Sequence, residues 1–238
     1  MYERSSLLVF GFLGMLAMGC SKETTSSRNI RTNGIAALID VYADTDTTAT
    51  VHVELRVGGS SSNVYIGLDD GDQLTATAGD QKKTLTTTDE VGVYEANFSG
   101  VGAETAFGVV LDRPRDTSAP ANSGTLPPPF TLDKPTDDLS RKDDELEVTW
   151  SPSGTEDGMD FEFDGPCIFS LKTSPPDDSG SFILAKDTLD STDDDKPERC
   201  KIKLNAQRSR SGSADGEFDN ESYFRLHQRR STTFVSAP

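Results

Sequence analysis

From Gly34 onward, apolar residues fall at every second position. Ile35, Ala37, Ile39 and Val41 alternate with smaller or polar side chains, and Val51, Val53, Leu55 and Val57 alternate with His52, Glu54 and Arg56. A period of two places one face of an extended strand against a core and the other in solvent. Ala43-Asp44-Thr45-Asp46-Thr47 and Gly58-Gly59-Ser60-Ser61-Ser62 read as the turns that close these strands. Similar short segments follow at residues 63–68, 73–77, 82–87, 93–98 and 106–111, each bounded by Gly, Asp, Asn or Ser. Seven short strands without a 3.6-residue pattern predict a first sandwich of two antiparallel sheets over residues 34–113.

The pattern stops at residues 112–129, where Pro, Ser, Asn and Gly dominate. Residues 114–129 are read as a linker, made semi-rigid by the extended geometry of Pro127-Pro128-Pro129. Alternation resumes in Leu146-Glu147-Val148-Thr149-Trp150-Ser151-Pro152, with Leu146, Val148 and Trp150 on one face and Pro152 ending the strand. This stretch, following a Pro-rich entry, resembles the second strand of fibronectin type III domains, which implies that Trp150 lies in a core. Further strands are expected at 159–163, 167–172, 180–184, 200–208 and 222–235, giving a second sandwich over residues 130–238. The two halves share a type but no repeat register. The expected fold class is therefore all-β, with two tandem antiparallel β-sandwiches.

Residues 7–20 form an uncharged run that closes with Leu16-Ala17-Met18-Gly19-Cys20. Its length as a helix is about 21 Å, short of a bilayer span, so a secretory signal is the better reading. The small residue before the cysteine resembles the lipobox of bacterial lipoprotein precursors. That resemblance implies cleavage of residues 1–19, a diacylglyceryl group on Cys20 and, with Ser21 rather than Asp following, sorting to the outer membrane. An ordinary secretory signal with Cys20 as an incidental thiol is the alternative. Residues 21–33 are polar and aperiodic, so residues 20–33 are expected to be a lipidated cysteine and flexible tether. The chain as a whole resembles bacterial surface or periplasmic lipoproteins with immunoglobulin-like domains.

The net charge of −17 is unchanged by removing residues 1–19, which carry only Glu3 and Arg4. Such a chain repels phosphate backbones and anionic lipid faces, which excludes nucleic acid as an expected partner. An exported chain with two further cysteines is expected to join Cys167 to Cys200, the alternative being two buried thiols.

Residues suited to chemistry are few. The two histidines, His52 and His227, fall on the outward positions of strands, where solvated side chains are expected, and no G-x-S-x-G nucleophile motif is present. The acidic groups are Asp69, Asp70 and Asp72, the run Asp193 to Asp195, and the alternating set Asp215, Glu217, Asp219 and Glu221. The last set would share one side of an extended segment and is the weak candidate for calcium, although solvated turns are preferred for all three groups. Arg208, Arg210, Arg225, Arg229 and Arg230 stand out in an acidic chain, and pairing with Asp215 through Glu221 is expected of them. Tyr65, Tyr94 and Tyr223 suit either a sugar-stacking surface or core packing. The expected function is a non-enzymatic, lipid-anchored envelope protein that holds interaction or spacer domains off the membrane. Its partner would be an envelope protein or glycan, and no cofactor is expected. The alternatives are a glycan- or calcium-dependent ligand-binding module and a hydrolase dependent on His52 and His227.

Overall fold

The computed structural model describes residues 22–153, 157–193, 195 and 198–238. Cys20 and the apolar run before it lie outside this set. The strands built largely on the first half are β1 (Glu23–Ser26), β2 (Ile35–Ala43), β3 (Thr48–Val57), β4 (Val64–Gly67), β5 (Gln73–Ala78), β6 (Gln81–Thr84), β7 (Thr86–Thr87), β8 (Val93–Ser99), β9 (Ala106–Asp112) and β10 (Ala119–Thr125). They are followed by β11 (Thr131–Leu132), β12 (Leu139–Ser140), β13 (Leu146–Ser151), β14 (Gly158–Asp164), β15 (Leu171–Thr173), β16 (Ser181–Leu184), β17 (Cys200–Ser211) and β18 (Tyr223–Ala237). The all-β class read from the alternation holds.

These strands form one long sheet backed by two short ones. The long sheet runs β1-β4-β3-β2-β18-β17-β14-β15, with β8 added beside β3. The sheet β10-β9-β5-β6 closes the first core, and the sheet β11-β13-β16 closes the second. Most pairs are antiparallel, but β1–β4, β2–β18 and β12–β18 are parallel. Parallel neighbours need a long connection. For β2 and β18 nearly the whole intervening chain supplies it.

Three expectations about the boundaries are corrected. Residues 22–33 are not a free tether: β1 pairs with β4, and Ser27 and Thr32 are buried. Arg113 binds this segment, donating to the carbonyls of Ser27 (2.7 Å) and Ile30 (3.1 Å) and to Thr32 Oγ1 (3.0 Å), while its Nε pairs with Asp72 at 2.9 Å. Composition missed this because backbone pairing and one distant arginine hold a polar segment in which only Ile30 packs on the first core. The linker, likewise, contains β10, which pairs with β9 and buries Ala119 and Asn122, and Leu126 beyond it is buried too. Finally, Phe218, Phe224 and Leu226 belong to the first core rather than the second. The expected strand at 167–172 is also reduced to β15, because residues 167–170 turn around the disulfide.

The assignment of Phe224 and Leu226 to the first core follows from β18 passing through both cores, with β17 beside it in the second. The inward side chains of β18 are apolar at each end: Phe234 enters the second core together with Ile202 and Leu204 of β17, and Phe224 and Leu226 enter the first. Between them the inward line turns polar at Arg208, Gln228 and Arg230. Gln228 Nε2 donates to the Pro127 carbonyl at 3.1 Å, and Arg208 Nη1 donates to the Pro128 carbonyl at 3.0 Å. The proline run is thus fastened to β17 and β18 at the seam. Arg208 is fully buried, with Nε 2.9 Å from Asp178 Oδ2, Nη2 2.7 Å from the Pro152 carbonyl and its guanidinium 5.0 Å from the Phe130 ring centre. Trp150 lies in the second core, as its resemblance implied, and donates from Nε1 to Asp178 Oδ1 at 2.5 Å. At the first core's edge Gly124 and Gly212 meet with little room: a Cβ on Gly212 would lie 2.4 Å from the Ser123 carbonyl oxygen.

Cys167 and Cys200 are joined, with Cα atoms 6.0 Å apart, at the end of the second sandwich remote from the seam. Beside them Arg141 is buried and donates to the Glu198 carbonyl at 3.0 Å and to Ser236 Oγ at 3.3 Å.

Candidate functional site

The outward face of the long sheet collects most of the polar side chains singled out in the sequence. Register alone aligns them: Ser209, His227, Tyr42 and Thr50 face one another across β17, β18, β2 and β3. One row along, Arg225, Asp40, His52 and Glu95 do the same across β18, β2, β3 and β8. Period two then turns all of them to the same side.

A hydrogen-bonded chain runs through these rows. Ser209 Oγ lies 2.9 Å from His227 Nδ1, and His227 Nε2 lies 2.9 Å from Asp40 Oδ1. Tyr223 donates its hydroxyl to Asp40 Oδ2 at 3.1 Å. The Tyr42 ring stacks on His227 with centres 5.1 Å apart, and the Arg229 guanidinium covers Tyr42 at 4.1 Å while pairing with Asp44 at 2.7 and 2.9 Å. Burial, with Asp40 adding to it, pushes the Tyr42 hydroxyl up to about 12. Burial and the same carboxylate raise Tyr223. His227 and Asp40 are buried, which corrects the expectation of a solvated His227. The position is outward, as read, but neighbouring side chains close over it.

His52 is also less free than expected. Its Nδ1 lies 2.9 Å from Glu95 Oε1 and its Nε2 3.5 Å from Glu54 Oε1. Hydrogen bonding to Glu54, and then to Glu95, raises the His52 pKa. The His52 and Arg56 hydrogen bonds in turn hold Glu54 down at about 2.

Ser209, His227 and Asp40 have the residue types of a nucleophile, a base and its orienting carboxylate. Their setting is mid-strand in a sheet paired on both sides, with Ser209 between Gly158 and His227. Ladder pairing there commits the backbone N–H groups that would otherwise stabilise an oxyanion. The arrangement can hold one proton order along a fixed line, which orients the four side chains and satisfies buried polar atoms. No spacing motif could have revealed it, because Asp40 and His227 lie far apart in sequence. The one local sign is Asp40 itself, a carboxylate within the otherwise apolar 35–43 run.

Beside this chain the same face dips into an open groove of about 1060 Å³, lined among others by Asp160, Glu162, Lys172, Lys203, Asn205 and Gln207. It is open and lined mostly by polar side chains, which suits extended polar ligands rather than a small apolar molecule.

No protein-family model and no curated protein sequence matches this chain. Among solved structures, similarity is found to three fibronectin domains of chicken CNTN1 (9% identity, 87% of this chain and 67% of that one, TM-score 0.25). It is also found to the adhesin InvE of Yersinia pseudotuberculosis (13% identity, 86% and 59%, TM-score 0.24). A segment of two fibronectin type III domains from chicken tenascin gives 11% identity, 84% and 98%, and a TM-score of 0.24. None is similar enough to say what this chain does.

The calcium candidates do not gather. Asp215 accepts from the backbone N–H groups of Ala121 (2.6 Å) and Glu217 (3.0 Å), Asp219 from that of Glu221 (2.9 Å), and Glu221 from Ser60 N–H (2.7 Å). The segment is a turn, with Phe218 buried, and not the extended run that would align all four carboxylates. Asp70 and Asp72 pair with Arg115 and Arg113, and Asp69 bonds Ser26. Among the described residues no three His, Cys, Asp or Glu side chains are grouped to hold a metal ion. The arginines do not pair with Asp215 through Glu221 either. Arg208 meets Asp178, Arg210 meets Asp157 and Glu104, Arg229 meets Asp44, and Arg230 meets Asp46, while Arg225 lies over Tyr223. Loops at neighbouring strand ends supply these partners: Asp44 and Asp46 follow β2, Glu104 precedes β9, Asp157 precedes β14 and Asp178 precedes β16. Tyr94 is core, with its hydroxyl donated to the Ile66 carbonyl, and Tyr65 is covered by Lys22 and Arg56.

Proposed function

We propose that this protein is a non-enzymatic, lipid-anchored component of a bacterial envelope, held through Cys20 at the outer membrane, whose fused sandwiches act as a stiff interaction or spacer body. One observation carries the mechanical half of this reading: β18 supplies side chains to both cores, and the proline run is bonded to it by Gln228 and to its neighbour β17 by Arg208. A pair of domains joined in this way transmits position rather than swinging on a linker. The anchoring half rests on the resemblance of Leu16-Ala17-Met18-Gly19-Cys20 to a lipobox.

Intact mass and metabolic fatty-acid labelling of the wild type and of Cys20→Ala test the anchor. Acylated wild type and a released, unlabelled variant are expected; a soluble, unacylated wild type sinks the proposal. A second reading, glycan binding, is favoured by the polar groove beside Gln207 and Arg229. Glycan-array binding that is lost on replacing Asn205 and Gln207 would support it.

A further inference from the structure

The direction of the strands says which end of the body meets the membrane. β2 and β18 run parallel, with Leu38 beside Tyr223 and Ala43 beside Gln228, and β18 then continues into the second core. The second sandwich therefore lies beyond the Ala43 end of β2, and the Ile35 end is the opposite pole. Val57 sits at that pole, beside Ile35. β4 starts there and runs back antiparallel to β3, and β1 runs parallel to β4 with Glu23 beside Val64. The chain thus enters the fold at the pole farthest from the second sandwich. Lys22 is fixed there by Glu90 and lies 5.0 Å from the Tyr65 ring centre.

Only Ser21 separates Cys20 from Lys22. Two residue steps reach about 7 Å, so an acyl group on Cys20 brings the bilayer surface to this pole. We infer that the pole of the first sandwich built from the residue 58–63 turn and the Glu221 loop that bonds it faces the phospholipid headgroups, and that the body stands upright on it. This rests on the lipid-anchor reading above. Glu221 stiffens the pole by accepting from both the N–H and the Oγ of Ser60, at 2.7 and 2.8 Å. β18, 15 residues long, spans about 50 Å along the body, so the far loops stand off the membrane by about that distance. Those loops carry the Cys167–Cys200 staple and the side chain of Phe169, which is 61% exposed. The segment read from sequence as a flexible spacer is thus part of the folded base, and the standoff comes from the sandwiches themselves.

The test uses the full-length acylated protein in phosphatidylcholine vesicles containing headgroup-nitroxide lipid, with a fluorophore on Ser61→Cys or on Lys142→Cys. Ser61 is an exposed residue of the polar turn, and Lys142 is exposed in the loop after β12 at the far end. Strong quenching at position 61 and little at 142 is expected. Equal quenching at both sites, or more at 142, in protein whose mass shows the acyl group overturns the orientation and leaves the anchor reading intact. Protein that lacks the acyl group and stays off the vesicles overturns both. Inserting about twelve Gly/Ser residues after Ser21, with a reach of about 19 Å, should weaken quenching at 61; unchanged quenching there would refute the short-tether argument.

Discussion

Replacing Arg208 with Met removes one partner from a salt bridge in which both side chains have no solvent exposure. The Asp178 carboxylate would stay buried, and the carbonyls of Pro128 and Pro152 would lose their donor. Breaking such a pair from one side costs about 3–5 kcal/mol, mostly as the penalty of an uncompensated charge. Trp150 Nε1 would still donate to Asp178 and offset part of that, so a loss of about 3 kcal/mol is expected for Arg208→Met. With an m-value of about 2–3 kcal/mol/M the urea midpoint would fall by roughly 1–1.5 M. The single tryptophan of the chain, Trp150, lies in the second core and reports that transition by its fluorescence. The double variant Arg208→Met/Asp178→Leu removes both charges and should recover at least half of the loss, since apolar replacement of a buried pair is often neutral. A single-variant cost under about 1 kcal/mol, or a double variant no more stable than the single one, would refute the claim that this pair holds the seam.

Other consequences are as direct. The raised pKa of His52 stabilises the fold below the ordinary histidine value of 6.5, and that contribution is lost as pH rises through the folded value; denaturation midpoints should therefore fall from pH 6 to pH 8, and His52→Gln should flatten the slope. Glu54 gives the opposite dependence, a contribution present above the ordinary glutamate value of 4.5 and lost as pH falls toward about 2. Opening the Cys167–Cys200 loop with a double Ala variant should lower stability by up to about 3.7 kcal/mol, read as the difference in midpoint with the disulfide intact. Calcium and EDTA should leave the melting temperature unchanged, because Asp215, Asp219 and Glu221 already accept backbone N–H groups; a rise with calcium would show that these turns reorganise around an ion.

The alternation at Thr48–Val57 and Leu146–Ser151 determined those strands and the all-β class, because a period of two is a local property that burial of one face enforces, whereas Ile35–Ala43 proves buried on both faces. Trp150 as a core residue and the Cys167–Cys200 pair were legible for a similar reason: a core aromatic and an exported cysteine pair each have few other uses. The seam was legible only in part. The inward positions of β17 and β18 break from apolar to polar at Arg208, Gln228 and Arg230, yet in sequence they look like ordinary outward residues until the sheet that faces them is known.

Pairing between distant segments decided the rest. Local pattern cannot state that β18 lies beside β2, that Asp40 meets His227, or that Arg113 holds residues 27–32, since each depends on which strand fills an open ladder edge. The sequence by itself thus determined most of the strands and the alternation of their faces. Only the tertiary structure decided that the two sandwiches share β18, because the hydrogen-bonding demand of a sheet edge is met by whichever chain the whole fold brings to it.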